Sequence, residues 1–147
     1  MNGSYMDAAL SPEMRAKLLL EEMSLEEKMA QVSCVFPFQD SFDDRDWFRK
    51  NAPLGIGEVS TLDVRMKKTL EEAADWLRES QRIVMENSPH HIPAIFHMEG
   101  LCGAFIQEAT SFPSGIGRGS GWDPELEEKI ARIVSRQEAA CGITHVL

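Results

Sequence analysis

Apolar residues recur along this chain in two rhythms, one fitting long helices and one fitting short buried strands. In "MKKTLEEAADWLRESQRIVMEN" (66–87), Leu70, Ala73, Ala74, Leu77 and Val84 fall at helical spacing and form a single stripe. The segment "DPELEEKIARIVSRQEAACG" (123–142) predicts a second such helix, with Leu126, Ile130, Ile133 and Val134 turned inward. Asp123 suits its N-cap, Pro124 its first position and Gly142 its C-terminal stop. Three short apolar runs read as strands: "GIGEVS" (55–60), "IPAIFHM" (92–98) and "ITHVL" (143–147). Upstream, "LSPEMRAKLLLEEM" predicts a helix capped by Ser11 and opened by Pro12, with Leu18 to Leu20 as apolar surface. "SLEEKMAQV" follows with Ser24 and Glu27 at capping-box spacing and Leu25, Met29 and Val32 on one face.

Strands separated by helices of about twenty residues pair in parallel, because only a crossover of that length returns the chain in the same direction. Their largely apolar runs fit a sheet covered on both faces. Three strands cannot close a barrel, which takes about 250 residues, so the expectation is a small open sheet or the first part of a larger fold. In such sheets ligands gather at the carboxyl ends of the strands. Glu99, in "FHMEGLCGAF", stands just past the second predicted strand. It reads either as a loop carboxylate in water or as a group that touches a ligand. His97 lies two residues earlier on the same strand face, as a polar pocket wall or a hydrogen-bonded core histidine. Residues 37–54 predict a long acidic and aromatic loop, in which Trp47 and Phe48 either line a pocket or pin the loop to the body.

Composition narrows the classes. The 147 residues suffice for one domain with a core, and 43% hydrophobic with 27% charged residues is ordinary for a globular protein. A net charge of −9 excludes a nucleic-acid partner, since phosphate binding needs clustered Lys and Arg. Here the basic pairs (Arg15 and Lys17, Lys67 and Lys68, Arg132 and Arg136) read as solvated helix faces. No apolar run approaches the roughly 20 residues that cross a bilayer, and the N-terminal residues do not resemble a signal peptide. A cytoplasmic protein without a membrane partner is expected. Cys34, Cys102 and Cys141 form no CxxC pair and leave an odd count, so three buried free thiols are expected.

Other motifs carry less. "GIGRGSG" (115–121) fails the dinucleotide pattern, lacks a P-loop Lys-Ser/Thr, and reads as a closely packed backbone segment. His90 and His91 are adjacent, so they cannot both face one ion from a strand. No metal set and no cofactor are assigned. As an acid or base Glu99 would need a second carboxyl, with Glu58, Asp63 and Glu108 as candidates at no diagnostic spacing.

Four stretches in order resemble the start of the family 3 glycoside hydrolases, over nearly the whole chain. "LLLEEMSLEEKMAQV" resembles that family's opening helix pair, and "IPAIFHMEGLCG" its second barrel strand and sugar-binding loop. "ATSFPSGIGRGSGWDPELEEKIARIVSRQEAACGI" is similar to its Thr-x-Phe-Pro segment, its Trp-Asp-Pro-Glu-Leu helix start and its Glu-x-x-x-x-Gly-Ile approach to a strand.

The resemblance implies an α/β fold, an incomplete TIM-like (β/α)8 barrel in which residues 1–147 supply the N-terminal strands and helices only. It implies exo-acting, retaining hydrolysis of β-glucosides or β-xylosides, with a β-linked oligosaccharide or aryl glycoside as substrate. Glu99 matches the family carboxylate that binds hydroxyls of the terminal sugar, although many members carry Asp there and His where Cys102 stands. The longer Glu99 side chain is expected to crowd a hydroxymethyl group and favour xylose. The resemblance implies a nucleophilic Asp on a later barrel strand and an acid/base that usually lies later still, so the chain alone is expected to be inactive. The rival readings are a non-catalytic remnant or half-barrel that docks on a separate remainder or on itself, and a sugar-binding module without hydrolysis.

Overall fold

Side-chain oxygens set the helix starts. In the computed structural model, which describes residues 4–37, 46–62, 64, 67 and 69–147, α1 (Pro12–Glu22) begins after Ser11, whose Oγ accepts from Met14 N at 3.3 Å. The predicted capping box opens α2 (Leu25–Gln31): Glu27 N donates to Ser24 Oγ and Ser24 N to Glu27 Oε2, at 3.2 and 2.7 Å. The Ser24 backbone N–H, and after it the Ser24 hydroxyl, hold the Glu27 carboxyl below its ordinary range. The short strand β1 (Cys34–Val35) and helix α3 (Trp47–Asn51) follow. Then come β2 (Glu58–Ser60), α4 (Leu70–Asn87) and β3 (Ile95–Met98). The last elements are α5 (Gly115–Gly119), α6 (Pro124–Cys141) and β4 (His145–Val146). Asp123 caps α6 through Leu126 N at 2.9 Å, and Gly142 ends it at φ 98°.

The four strands form one sheet in the order β1-β2-β3-β4, every pair parallel. Val59, Phe96 and Met98 point to one face, where they join Ala73, Leu77 and Val84 of α4 and Ile130 and Val134 of α6 in one core. The predicted α4 stripe is therefore the buried stripe. Cys34, Glu58, Ile95 and His97 project to the opposite face, which no helix covers among the described residues: Ile95 is 45% exposed. The sheet is thus covered on one face rather than both.

Several expectations shift. The strand β1 is additional to the sequence reading. Pairing in the other strands is shorter than predicted, because Pro93 has no N–H to donate and Gly55 sits at φ 78°. α4 starts at Leu70 rather than Met66, since Thr69 Oγ1 accepts from Glu72 N and caps it there. On α6 the buried line runs Ile130, Val134, Glu138, Cys141, which leaves Leu126 and Ile133 exposed on its flank. Leu25, Met29 and Val32 are also exposed. The run 115–121 is an exposed short helix and turn, not a packed segment: a Cβ at Gly115 or Gly119 would meet nothing within 4 Å. Of the predicted 37–54 loop, residues 38–45 lie outside the described ones. Its end is pinned: Phe48 is in the core against Trp76, and Asn87 Nδ2 donates to the carbonyls of Phe48 and Ala52.

Glu138 has no exposed surface, and neither carboxyl oxygen has a hydrogen-bond partner among the described residues. Burial pushes its pKa up to about 7. A group with a raised folded pKa adds stability below its unfolded pKa and loses it as pH climbs through the folded value. Urea midpoints of the chain are therefore expected to fall from about pH 4.5 to about pH 7 relative to those of Glu138→Gln; parallel midpoints for the two proteins would refute the assignment. Phe96, on a central strand and 1% exposed, is expected to lower stability by about 3–5 kcal/mol when changed to Ala, read by denaturant unfolding.

Candidate functional site

The strand β3 delivers Glu99. Its last residue is Met98, so Glu99 is the first residue beyond the C-terminal end of a central parallel strand, and it is half-buried. Gly100 N donates to Leu147 O beside β4, which fixes the backbone on the far side of the carboxylate. The chain then turns back on itself. Gly103 sits at φ 105°, a conformation that L side chains rarely adopt, and a Cβ there would stand 2.2 Å from Thr110 O. Phe112 N closes this loop on Cys102 O at 2.8 Å.

No hydrogen bond or ion pair engages the Glu99 carboxylate among the described residues. That leaves its oxygens able to accept from hydroxyls of a bound molecule. The three carboxyls considered as partners are not gathered around it. Glu58 opens β2 and pairs with Ile95, the first residue of β3, so it lies at the other end of the sheet, about 13 Å along the strand. Glu108 turns instead to the N terminus of α4, where Leu70 N points at its Oε2 from 3.5 Å. Asp63 lies outside the described residues.

His97 occupies the uncovered face. Its Nε2 stands 3.5 Å from Cys34 Sγ, and its ring lies edge-on to that of His145 with centroids 6.4 Å apart. His97 therefore has a thiol as hydrogen-bond partner, but half-buried on the uncovered face rather than in the core. Burial pushes the Cys34 thiol up, Glu58 adds to the rise, and a backbone contact at Ser60 works against it. The three cysteines are not uniformly buried: Cys34 is exposed, Cys102 half-buried and Cys141 buried. The exposed one follows from β1 being an edge strand. His90 acts as a clasp, meeting Tyr5 Oη at 3.3 Å through Nδ1 and Glu27 Oε1 at 3.5 Å through Nε2. His91 turns away, its Nδ1 3.0 Å from Met85 O.

A parallel sheet backed by α4 and α6, with a carboxylate just past a strand's C-terminal end, has the layout of the front of a TIM-like barrel. Residues 24–147 match the family description "Glycosyl hydrolase family 3 N terminal domain", and the chain belongs to that family. It is 27% identical to a Formosa agariphila protein named as a candidate β-xylosidase, over 95% of this chain and 19% of that protein. It is 34% identical to a lysosomal β-glucosidase of Dictyostelium discoideum, over 49% of this chain and 9% of that one. A solved β-glucosidase from Erythrobacter marinus superposes with a TM-score of 0.83 at 26% identity, covering 98% of this chain and 19% of its own. The chain therefore spans about a fifth of the length of such relatives. Its fold is an incomplete TIM-like barrel, comprising N-terminal strands and helices.

The loop geometry yields its own test. Gly103→Ala forces a side chain into the Thr110 carbonyl and is expected to destabilise the loop by about 1–3 kcal/mol. Hydrogen exchange at the Phe112 amide reads this directly; unchanged protection would show that the loop does not depend on Gly103.

Proposed function

We propose that the chain is the substrate-holding front of an exo-acting, retaining β-glycosidase that releases terminal β-D-glucosyl or β-D-xylosyl residues from oligosaccharides or aryl glycosides. In this reading all of residues 1–147 belong to the N-terminal part of one barrel domain. The observation that carries it is Glu99, a half-buried carboxylate without an intramolecular partner among the described residues, one residue past β3. Such a carboxylate accepts two strong hydrogen bonds from adjacent sugar hydroxyls and so fixes the terminal ring. The family supports hydrolysis, and the relatives' names support both sugars. Glu99 binds and orients. The nucleophile, on a later barrel strand, and the acid/base, later still, form the pair of carboxyls about 5 Å apart in retaining enzymes.

The uncovered sheet face, with Ile95 exposed, and the edge strand β4, with Val146 and the following Leu147 exposed, support association with the remainder of such a barrel or with a second copy of the chain.

In the enzyme that contains the complete barrel, Glu99→Ala is expected to lower kcat/KM for aryl β-glycosides by roughly 10- to 100-fold, the value of a charged hydrogen bond. Glu99→Asp is expected to move preference from xylosides toward glucosides. Unchanged kinetics in both variants would remove Glu99 from the sugar site. The 147-residue chain alone is expected to show no turnover of aryl β-glucosides or β-xylosides; turnover that copurifies with it would contradict the assignment of the reacting carboxyls elsewhere.

A further inference from the structure

The uncovered sheet face gathers three side chains of different chemistry that the sugar site does not use. Cys34, Glu58 and His97 come from β1, β2 and β3, and each offers one ligand atom within 4.8 Å of the other two. Strand register explains the meeting. Cys34 and Glu58 are direct partners across β1 and β2, Glu58 is the partner of Ile95, and His97 lies two residues further along on the same face. The longer imidazole then reaches across to the thiol.

We infer that Cys34 Sγ, a Glu58 carboxylate oxygen and His97 Nε2 form a three-ligand site for a borderline-soft divalent cation of the zinc class, with a fourth position open. The distances fit. With bonds of about 2.3 Å to sulfur and about 2.1 Å to nitrogen, a tetrahedral ion holds those two atoms about 3.6 Å apart. Sγ and Nε2 stand 3.5 Å apart. The carboxylate closes the set by turning its own flexible stem, because no hydrogen bond or ion pair holds the Glu58 side chain among the described residues. Thiolate, imidazole and carboxylate together select zinc over magnesium or calcium, which prefer all-oxygen shells. The thiol also meets the Val35 carbonyl, 3.6 Å from Sγ, and a backbone group at Ser60. His145 flanks the set through its ring contact with His97 and lies outside the three-ligand group.

The missing local Cys and His spacing does not bear on this site. Chelates built within one loop need close spacing, whereas here the parallel register brings the ligands together. Glu99 lies two residues beyond His97, about 7 Å further along the strand direction. The cation site is thus one layer deeper than the sugar carboxylate, and it stands or falls independently of the glycosidase reading.

The test uses the full chain, reduced and freed of metal with a chelator, and titrated with cobalt(II) as a spectroscopic stand-in for zinc. One equivalent is expected to raise a thiolate-to-cobalt charge-transfer band in the near ultraviolet that zinc then displaces. Cys34→Ser is expected to abolish the band, and Glu58→Gln and His97→Ala to weaken binding by roughly tenfold or more. Cys102→Ser and His91→Ala are expected to leave it unchanged. Cys34 is exposed and Glu58 half-buried, so neither substitution empties the core. Zinc is also expected to raise the Tm of the unsubstituted chain. No band and no Tm shift in that chain would overturn the inference. So would a band that survives Cys34→Ser or is lost in Cys102→Ser.

Discussion

The parallel pairing of β2 with β3 is the constraint on which everything else in the molecule depends. Its register sets Glu58 against Ile95, Val59 against Phe96 and Ser60 against His97. Strand side chains alternate with a period of two, so this one choice assigns each residue to a face. Val59, Phe96 and Met98 go to the helices and into the core. Glu58, Ile95 and His97 go to the uncovered face. A slip by one residue would turn Phe96 outward and bring His97 against α4 and α6. The same register fixes where β3 ends, and hence where Glu99 emerges.

Much of this was legible along the chain. Strong apolar stripes gave α4 and α6, because a helix that packs on a sheet must repeat its contact every three or four residues. The capping pairs Ser24–Glu27 and Asp123–Pro124 marked helix starts, since the chemistry of a cap is local. Glu99 at a strand end followed from "IPAIFHM" running out into "EGLCG". What stayed hidden was tertiary. β1 has two residues and only one, Val35, that packs against the core, too little for a periodic signal. The helical apolar residues Leu25, Met29, Val32, Leu126 and Ile133 carry the pattern of buried positions and yet face outward here. Periodicity reports that a face is apolar; it does not report what covers it. Helix starts likewise depend on a competing hydroxyl, as Thr69 does by beginning α4 later than its apolar stripe alone suggests.

The composition of the uncovered face ties the fold to both functional readings. The interior of a closed barrel is a packed core, filled mainly by bulky branched side chains in layers. On the four strands here, that face carries Ile95 as such a residue, but also Cys34, Glu58, His97 and His145. Polar groups enclosed in a barrel need partners, because each one left unpaired out of water costs about 1–3 kcal/mol and an unpaired charge costs more. Glu99 lies past the C-terminal end of β3, where, in the proposed role, hydroxyls of a bound sugar would supply its donors. Glu58 sits at the other end of the sheet, where closing strands would shut water out. A neutral thiol and a neutral imidazole bring one donor each, which leaves part of the acceptor capacity of an ionised carboxylate unfilled. A divalent cation satisfies all three lone pairs at once and cross-links β1, β2 and β3, the strands that set the register of the whole sheet.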